Sequence, residues 1–283
     1  MQAKKFMQRL LPPVAIDFIK NNLGYIGLAP WKYVPEGFDY KINSKGWDMA
    51  EIAKLQHDKW DDYVKIIKGV SPLGINHESS NSNEYVDPFF HNLLISFAYV
   101  LTLSGIKKQK INFLDWGGGI GHYGLLAEEL VKPAGLEVNY FCYDFEVFGD
   151  SGKKLNPQFN FFSDGDKYLS QPFDLIVASS SIWYEKEWKH GVDKLCAHDT
   201  EYLYITRMIF IEDKPSYVAL QQPSYMGYKT EYLFWVINKN EFLNYVLEKG
   251  YALIKQFEFG NVTPVFKAPE QGTMKGFLFK KCN

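Results

Sequence analysis

The sequence predicts an α/β fold, a mostly parallel sheet with helices on both faces. Three observations predict it. From residue 110 onward, short apolar runs alternate with amphipathic stretches. The first of those runs ends in a glycine cluster, Gly117-Gly118-Gly119-Ile120-Gly121. Repeats and low-complexity tracts are absent. Strands separated by helices imply a parallel sheet covered on both sides. With 283 residues, 46% of them apolar, the chain can bury a sizeable core as one large domain or a domain with an attachment.

The first ninety residues differ from the rest. Pro12, Pro13, Pro30 and Pro35 break long helices before residue 45. Trp47 to Lys68 reads as one amphipathic helix, with Ile52, Leu55, Val64 and Ile67 recurring mostly at three or four. Ser71 to Glu84 is a polar loop. Asp87-Pro88 reads as an N-cap followed by proline in the first turn, opening a helix that runs through Phe89, Leu93, Leu94, Phe97 and Leu101 and ends at Gly105. Strands are then expected at Lys110–Trp116, Glu137–Tyr143, Gln158–Ser163, Phe173–Ser179 and Glu201–Phe210. Helices are expected at Gly121–Val131 and Asn240–Lys249. Tyr251–Phe259 and Lys275–Lys281 close the chain as two strands joined by a loop, an antiparallel hairpin at one edge.

Composition narrows the partners. The net charge is −2, so no basic stripe exists to neutralise many phosphates, and nucleic acid is not expected. Cys142, Cys196 and Cys282 are odd in number and far apart, which fits a reducing cytoplasm rather than a disulfide framework or a metal knuckle. No apolar run reaches the roughly 18 residues of a membrane span. Lys4, Lys5 and Arg9 precede an apolar stretch interrupted at Asp17. It does not read as a signal peptide. It reads as a helix packed on the body, with a weak peripheral hook onto a membrane as the other reading. Aromatics make up 17% of the chain, either as core or as rings lining a cleft for a planar or sugar-like ligand.

Open α/β sheets bind ligands at the carboxyl ends of strands, near the point where strand order reverses. The glycine cluster after the first strand suits that place, because glycine permits sharp turns and close approach of a ligand. Gly119-Ile120-Gly121-His122-Tyr123-Gly124 also fits the dinucleotide pattern G-x-G-x-x-G, and Asp144 stands about 20 residues beyond it, as a ribose acid would. Spacing alone does not separate NAD from S-adenosylmethionine (SAM). Asp115 shifts the balance. Asp115, Gly117, Gly119 and Gly121 fill every place of the acid-x-Gly-x-Gly-x-Gly loop of SAM enzymes. A carboxylate there can orient the loop and meet the cofactor's ammonium, directly or through water, and would repel a pyrophosphate.

Residues 85–283 resemble a family of SAM-dependent methyltransferases of about this length, some associated with bacterial surface-polysaccharide gene clusters. The likeness is strongest at Leu114–Gly124, continues through Phe173–Tyr184 and includes Ile205-Thr206-Arg207. The family often has glutamate then proline after the second strand, where this chain has Asp144-Phe145-Glu146. The resemblance implies a Rossmann-like sheet of seven strands, order 3-2-1-4-5-7-6. It implies a methyltransferase domain over residues 86–283, in keeping with the SAM loop, while residues 1–85, read from their own sequence, form a mainly helical N-terminal extension. The expected cofactor contacts are Asp115, Gly117, Gly118, Gly119 and Gly121 in the loop, Asp144 for the ribose with Glu146 as competitor, Asp164 for the adenine with Asp166 as alternative, and Ser179. Each has a plain structural reading too: Asp144 as a helix cap, Asp164 as a polar turn, Ser179 as a strand terminator.

Methyl transfer to oxygen requires removal of a proton, so a general base is expected. His122, beside the glycine loop, and His190, after the fourth strand, are candidates, against plain readings as surface histidines. Tyr184 and Arg207 are candidates for acceptor contact. Arg207 would suit a carboxylate or phosphate, or form a structural salt bridge. The histidines share no ligand spacing, so no metal site is expected. The acceptor implied is a small molecule or, by association only, a saccharide. Residues 1–90, with Trp31, Tyr33, Trp47 and Trp60, are expected to cover the cleft.

Overall fold

The computed structural model describes residues 31–44, 46–70, 88–163, 172–222 and 230–282. The expected N-terminal helix, the loop at 71–84, Asp87, and the adenine acids Asp164 and Asp166 lie outside the described residues.

In chain order the elements are β1 (Trp31–Tyr33), α1 (Ala50–Asp58), α2 (Trp60–Lys68), α3 (Pro88–Gly105), β2 (Lys110–Trp116), α4 (His122–Val131), β3 (Glu137–Tyr143), α5 (Glu146–Leu155) and β4 (Asn160–Phe162). They continue with β5 (Leu175–Ser179), α6 (Trp188–Cys196), β6 (Tyr202–Ile211), β7 (Tyr217–Gln221), β8 (Tyr232–Asn238), α7 (Lys239–Glu248), β9 (Tyr251–Thr263) and β10 (Gly272–Lys281). Strands β4, β3, β2, β5 and β6 pair in that order, all parallel. β10 runs antiparallel between β6 and β9. Counting these seven strands in chain order gives 3-2-1-4-5-7-6, the expected order.

The sheet nevertheless has ten strands, not seven. β8 pairs parallel with Phe210 and Ile211 at the far end of β6, β7 pairs antiparallel with β8, and β1 with β7. β10 already occupies one edge of β6 at Phe210. β8 therefore takes the other edge, beyond the place where β5 ends at Ser179, opposite Thr206. The three extra strands thus rise past the carboxyl end of β5. The single helix expected over Trp47–Lys68 is two helices, turned at Lys59, whose φ and ψ are −102° and −2°.

Alternation along the strands sorts side chains onto two faces. Ile111 and Phe113 of β2 pack with Phe97, Val100 and Leu101 of α3 and Ala127 and Val131 of α4. Leu114 and Trp116 point the other way, with Trp188, Val192 and Leu195 of α6 and Phe242 and Val246 of α7. The same alternation sends Asp115 to the α3–α4 face. β6 is buried at all ten positions, as a central strand covered on both sides must be. Helices α1 and α2 dock a separate apolar stripe, Ile52, Ala53, Trp60, Tyr63 and Ile67, onto Ile120, Leu125 and Phe148. Among the described residues no helix is long and apolar enough to cross a membrane.

Candidate functional site

The glycine loop joins β2 to α4 at the carboxyl edge of the sheet. Gly117, Gly119 and Gly121 have φ of +75°, +62° and +101°, a region that costs other residues roughly 1–2 kcal/mol each. A side chain at Gly117 would also meet Ser181 at 2.6 Å, and one at Gly118 would run into the Asp115 carboxylate. Glycine is therefore required at Gly117 by both dihedral and space.

Asp115 supports this loop from beneath. It is 1% exposed and is not among the residues lining the cavity, so the structure gives it no direct contact with a ligand's ammonium. Tyr140 donates its hydroxyl to Oδ2 at 2.7 Å. Burial pushes the carboxyl up to about 7. The Asp144 charge adds to that rise, while the Tyr140 hydrogen bond and the Arg207 guanidinium oppose it. Near neutral pH Asp115 is therefore not a fixed negative charge, and it repels a pyrophosphate less than a permanent carboxylate would.

Asp144 is not the cap of α5; Phe145 holds that position. The Asp144 carboxylate ties the end of β3 to the glycine loop. Oδ2 accepts from Gly119 N and Oδ1 from Phe145 N, both at 2.7 Å. Burial raises its carboxyl to about 6 against those two bonds. A carboxylate has about four acceptor sites, so capacity for further donors remains on the cavity side. Glu146, the first residue of α5, is exposed and lines the same cavity. Ser179 is committed to Tyr123, hydroxyl to hydroxyl at 2.9 Å.

The cavity measures about 1450 Å³ and runs from the glycine loop to the extra strands. Fifteen of its lining residues are Phe, Tyr or Trp, so part of the aromatic excess forms a cleft wall. Trp47 and Tyr232 stack at 4.4 Å and 8°, and Tyr184 stands edge-on to Trp47 at 5.7 Å. The Tyr184 hydroxyl donates to Gln221 Oε1 at 3.1 Å. Trp31 and Trp47 line the cavity, whereas Tyr33 packs on Tyr217 and Trp60 on His122.

Arg207 lies in the wall, 7% exposed, with its guanidinium 5.9 Å from the Phe90 ring centre. Its φ is +58°, and its neighbour Ser180 has φ +53°. The two are joined by Ser180 Oγ donating to Arg207 O at 2.8 Å. Opposite them β10 shifts register between Lys275 and Phe277, so Thr206 and Arg207 face the single residue Gly276. Such a bulge bends a strand and re-aims its side chains.

The two histidine candidates fall in different places. His190 is exposed on α6 and does not line the cavity; Trp188, Val192 and Leu195 turn that helix's apolar face inward and leave His190 to solvent. His122 lines the cavity and is 4% exposed, not a partly exposed surface residue. Its ring packs against Trp60 at 5.1 Å and Tyr63 at 4.8 Å, and Tyr63 donates to His122 O at 3.1 Å.

Gln56 and Tyr123 join the wall without having been singled out as contacts, and Ser181, in the serine run expected beside the cofactor at the end of the fourth strand, lines it as well. Gln56 carried a signal: it sits in the apolar stripe of α1 and α2, where a polar residue is out of pattern. Its Oε1 and the Ser181 Oγ are buried with no hydrogen-bond partner among the described residues. A Cβ added at Gly119 would lie 3.3 Å from the first, and one at Gly117 3.4 Å from the second.

No family model matches the sequence, and no curated protein matches it. Solved structures do. The chain is similar to 1,6-didemethyltoxoflavin-N1-methyltransferase from Burkholderia thailandensis, at 11% identity over 67% of this chain and 78% of that one, TM-score 0.46. It is similar to an S-adenosylmethionine-dependent methyltransferase from Clostridium acetobutylicum, at 12% identity over 67% and 92%, TM-score 0.43. It is also similar to the cyclase SpnF, at 11% identity over 65% and 81%, TM-score 0.45. Likeness at these scores assigns no reaction, substrate or residue role to this chain.

Proposed function

We propose that this chain transfers a methyl group from SAM to an oxygen of a small-molecule or saccharide acceptor. The observation that carries this reading is the strand order around the glycine loop. A dinucleotide-binding sheet runs 3-2-1-4-5-6 with its strands parallel. Here an antiparallel strand, β10, is inserted between β6 and β9, in the order the family resemblance implies. Gly124 does not discriminate: a side chain there would press on Tyr140 and Phe159 at 2.8 Å, the close helix–strand packing that dinucleotide sites also use.

The residues present fit the cofactor. Gly117 and Gly119 leave a cradle that a Cβ would fill, with two unpartnered buried polar atoms beside it. The nearby acids Asp144 and Glu146 suit a ligand with a sulfonium and an ammonium. Gly117 to Gly121 would take the amino-acid end, Asp144 the ribose with Glu146 as competitor, Asp164 the adenine with Asp166 as alternative, and Ser179 would lie beside the cofactor. Single small-molecule sites are roughly 300–1,000 Å³, so a cavity of about 1450 Å³ has room for cofactor and acceptor together.

SAM supplies a methyl group already activated on sulfur. The protein's part is alignment and exclusion of water, worth up to roughly 7–11 kcal/mol when geometry is ideal. The Trp47–Tyr232 stack and Tyr184 would hold a ring-shaped acceptor by its faces. Arg207 would meet an anionic group on it. The N-terminal region supplies part of that wall through Trp31 and Trp47.

Calorimetry with SAM, S-adenosylhomocysteine and NAD tests the reading. Binding of the two adenosyl ligands, and not NAD, is expected. Tight NAD binding without SAM would make the chain a dinucleotide oxidoreductase. Binding of none would make it a scaffold that keeps the fold without the chemistry.

A further inference from the structure

We infer that Gln56, from outside the sheet, receives the ammonium of the cofactor's amino-acid end, so that α1 completes the cofactor site. The inference rests on the SAM reading above and deepens it. Gln56 is 7% exposed, lines the cavity, and its Oε1 has no hydrogen-bond partner among the described residues. Native proteins satisfy nearly all buried acceptors, so an exception beside a ligand cradle points to a donor that arrives with the ligand.

The position selects which donor. A Cβ at Gly119 would stand 3.3 Å from Oε1, which puts the carboxamide over the glycine loop. The loop cannot supply the bond at that residue, because Gly119 N already donates to Asp144. An amide oxygen only accepts, so the group that arrives beside this part of the loop must bring its own donor. A cation with several N–H donors fits that acceptor at the amino-acid end of the site; a carboxylate or phosphate does not. Of the cofactor's groups, the amino-acid ammonium has that character.

Gln56 is held firmly enough to act this way. Its neighbours in the stripe, Ile52, Ala53 and Trp60, are buried against the α4–α5 side of the core. His57 Nδ1 lies 3.0 Å from Ser151 Oγ, and Tyr63 bonds to His122 O. The helix pair is thus bolted to both walls of the cradle, with the amide aimed between them.

The test compares three ligands on the wild-type chain and on Gln56→Leu, by calorimetry. They are S-adenosylhomocysteine, the analogue that lacks only its amino group, and 5′-methylthioadenosine, which lacks the whole amino-acid end. A hydrogen bond to a charged group predicts a roughly tenfold to hundredfold loss of S-adenosylhomocysteine affinity in Gln56→Leu, with no change for the other two. Gln56→Glu keeps the shape and an acceptor and should retain the preference for the amino-bearing ligand, which a merely structural role for Gln56 would not require. If all three ligands weaken equally in Gln56→Leu, or none does, the inference is overturned while the SAM reading stands. If the wild-type chain binds none of the three, the SAM reading itself falls, and the inference falls with it.

Discussion

Asp115→Asn should make the protein more stable at high pH than at low pH relative to wild type. The carboxyl is held near 7 against an ordinary value of 3.8. At about 1.36 kcal/mol per pH unit, ionising it inside the fold costs on the order of 4 kcal/mol. Between those two values the folded chain binds the Asp115 proton and the unfolded chain does not. Stability is therefore fully present below about pH 4 and is lost as pH rises through about 7. Asparagine carries no such proton and can still accept the Tyr140 hydroxyl through its amide oxygen. The stability of Asp115→Asn minus that of wild type should grow by roughly 2–3 kcal/mol between about pH 5 and pH 8. Urea unfolding of both proteins across that range, at constant ionic strength, measures it. A difference that stays flat with pH would mean that Asp115 remains ionised in the fold, and that the loop rests on a permanent carboxylate.

Other perturbations separate the parts of the site. Gly119→Arg places a long side chain at φ +62° on the cavity side; it should abolish S-adenosylhomocysteine binding while unfolding stays cooperative, with about 1–2 kcal/mol of strain. Glu146→Gln should lower ribose-bearing ligand affinity with little change in melting temperature. Asp144→Asn should lower both, because its oxygens hold Gly119 N and Phe145 N; equal melting temperatures would refute the tie. Tyr140→Phe removes the donor to a buried carboxyl and should cost about 1–3 kcal/mol by denaturant titration. Gly276→Ala would press a methyl to 2.6 Å from Thr206 Oγ1; moving the bulge should reduce acceptor turnover more than S-adenosylhomocysteine affinity, and an equal fall in both would place the bulge outside the acceptor side.

What the sequence made legible follows from burial. β2 and β3 match their expected limits because each is a short apolar run closed by a turn. The glycine loop was legible for the same reason it is needed: few other arrangements call for three glycines at alternate positions. α5 and α6 were not expected. Their sequences, Glu146–Leu155 and Trp188–Cys196, each contain glycine, which weakens helix propensity. The structure gives the compensation: Gly152 packs directly on the Phe161 ring and Gly191 on Ile182. Tertiary contact there overrides local preference. The split between α1 and α2 is invisible to periodicity, because the apolar stripe continues from Ile52 across Lys59 to Ile67. β7 and β8 were readable as apolar runs, but a sheet already complete with seven strands left no evident place for them.

That place is created by a mismatch in strand length. β5 stops at Ser179, whereas β6 continues to Ile211, leaving an edge of β6 open beyond Thr206. An open edge presents unpaired backbone groups that must be met. β8 meets them at Phe210 and Ile211 and carries β7 and β1 with it. Between the two pairings lies the bulge at Thr206 and Arg207, with Ser180 fixed against it. Two non-glycine residues in left-handed conformation, hydrogen-bonded to each other, are costly, and they stand where the parallel core hands over to the extra strands. The strain turns Arg207 into the cavity while the strands beyond it bring Tyr232 to stack on Trp47. The glycine loop follows β2 and Tyr232 lies on β8, so these two sides of the cavity are carried by different strands, with Arg207 of the bulge also in its wall.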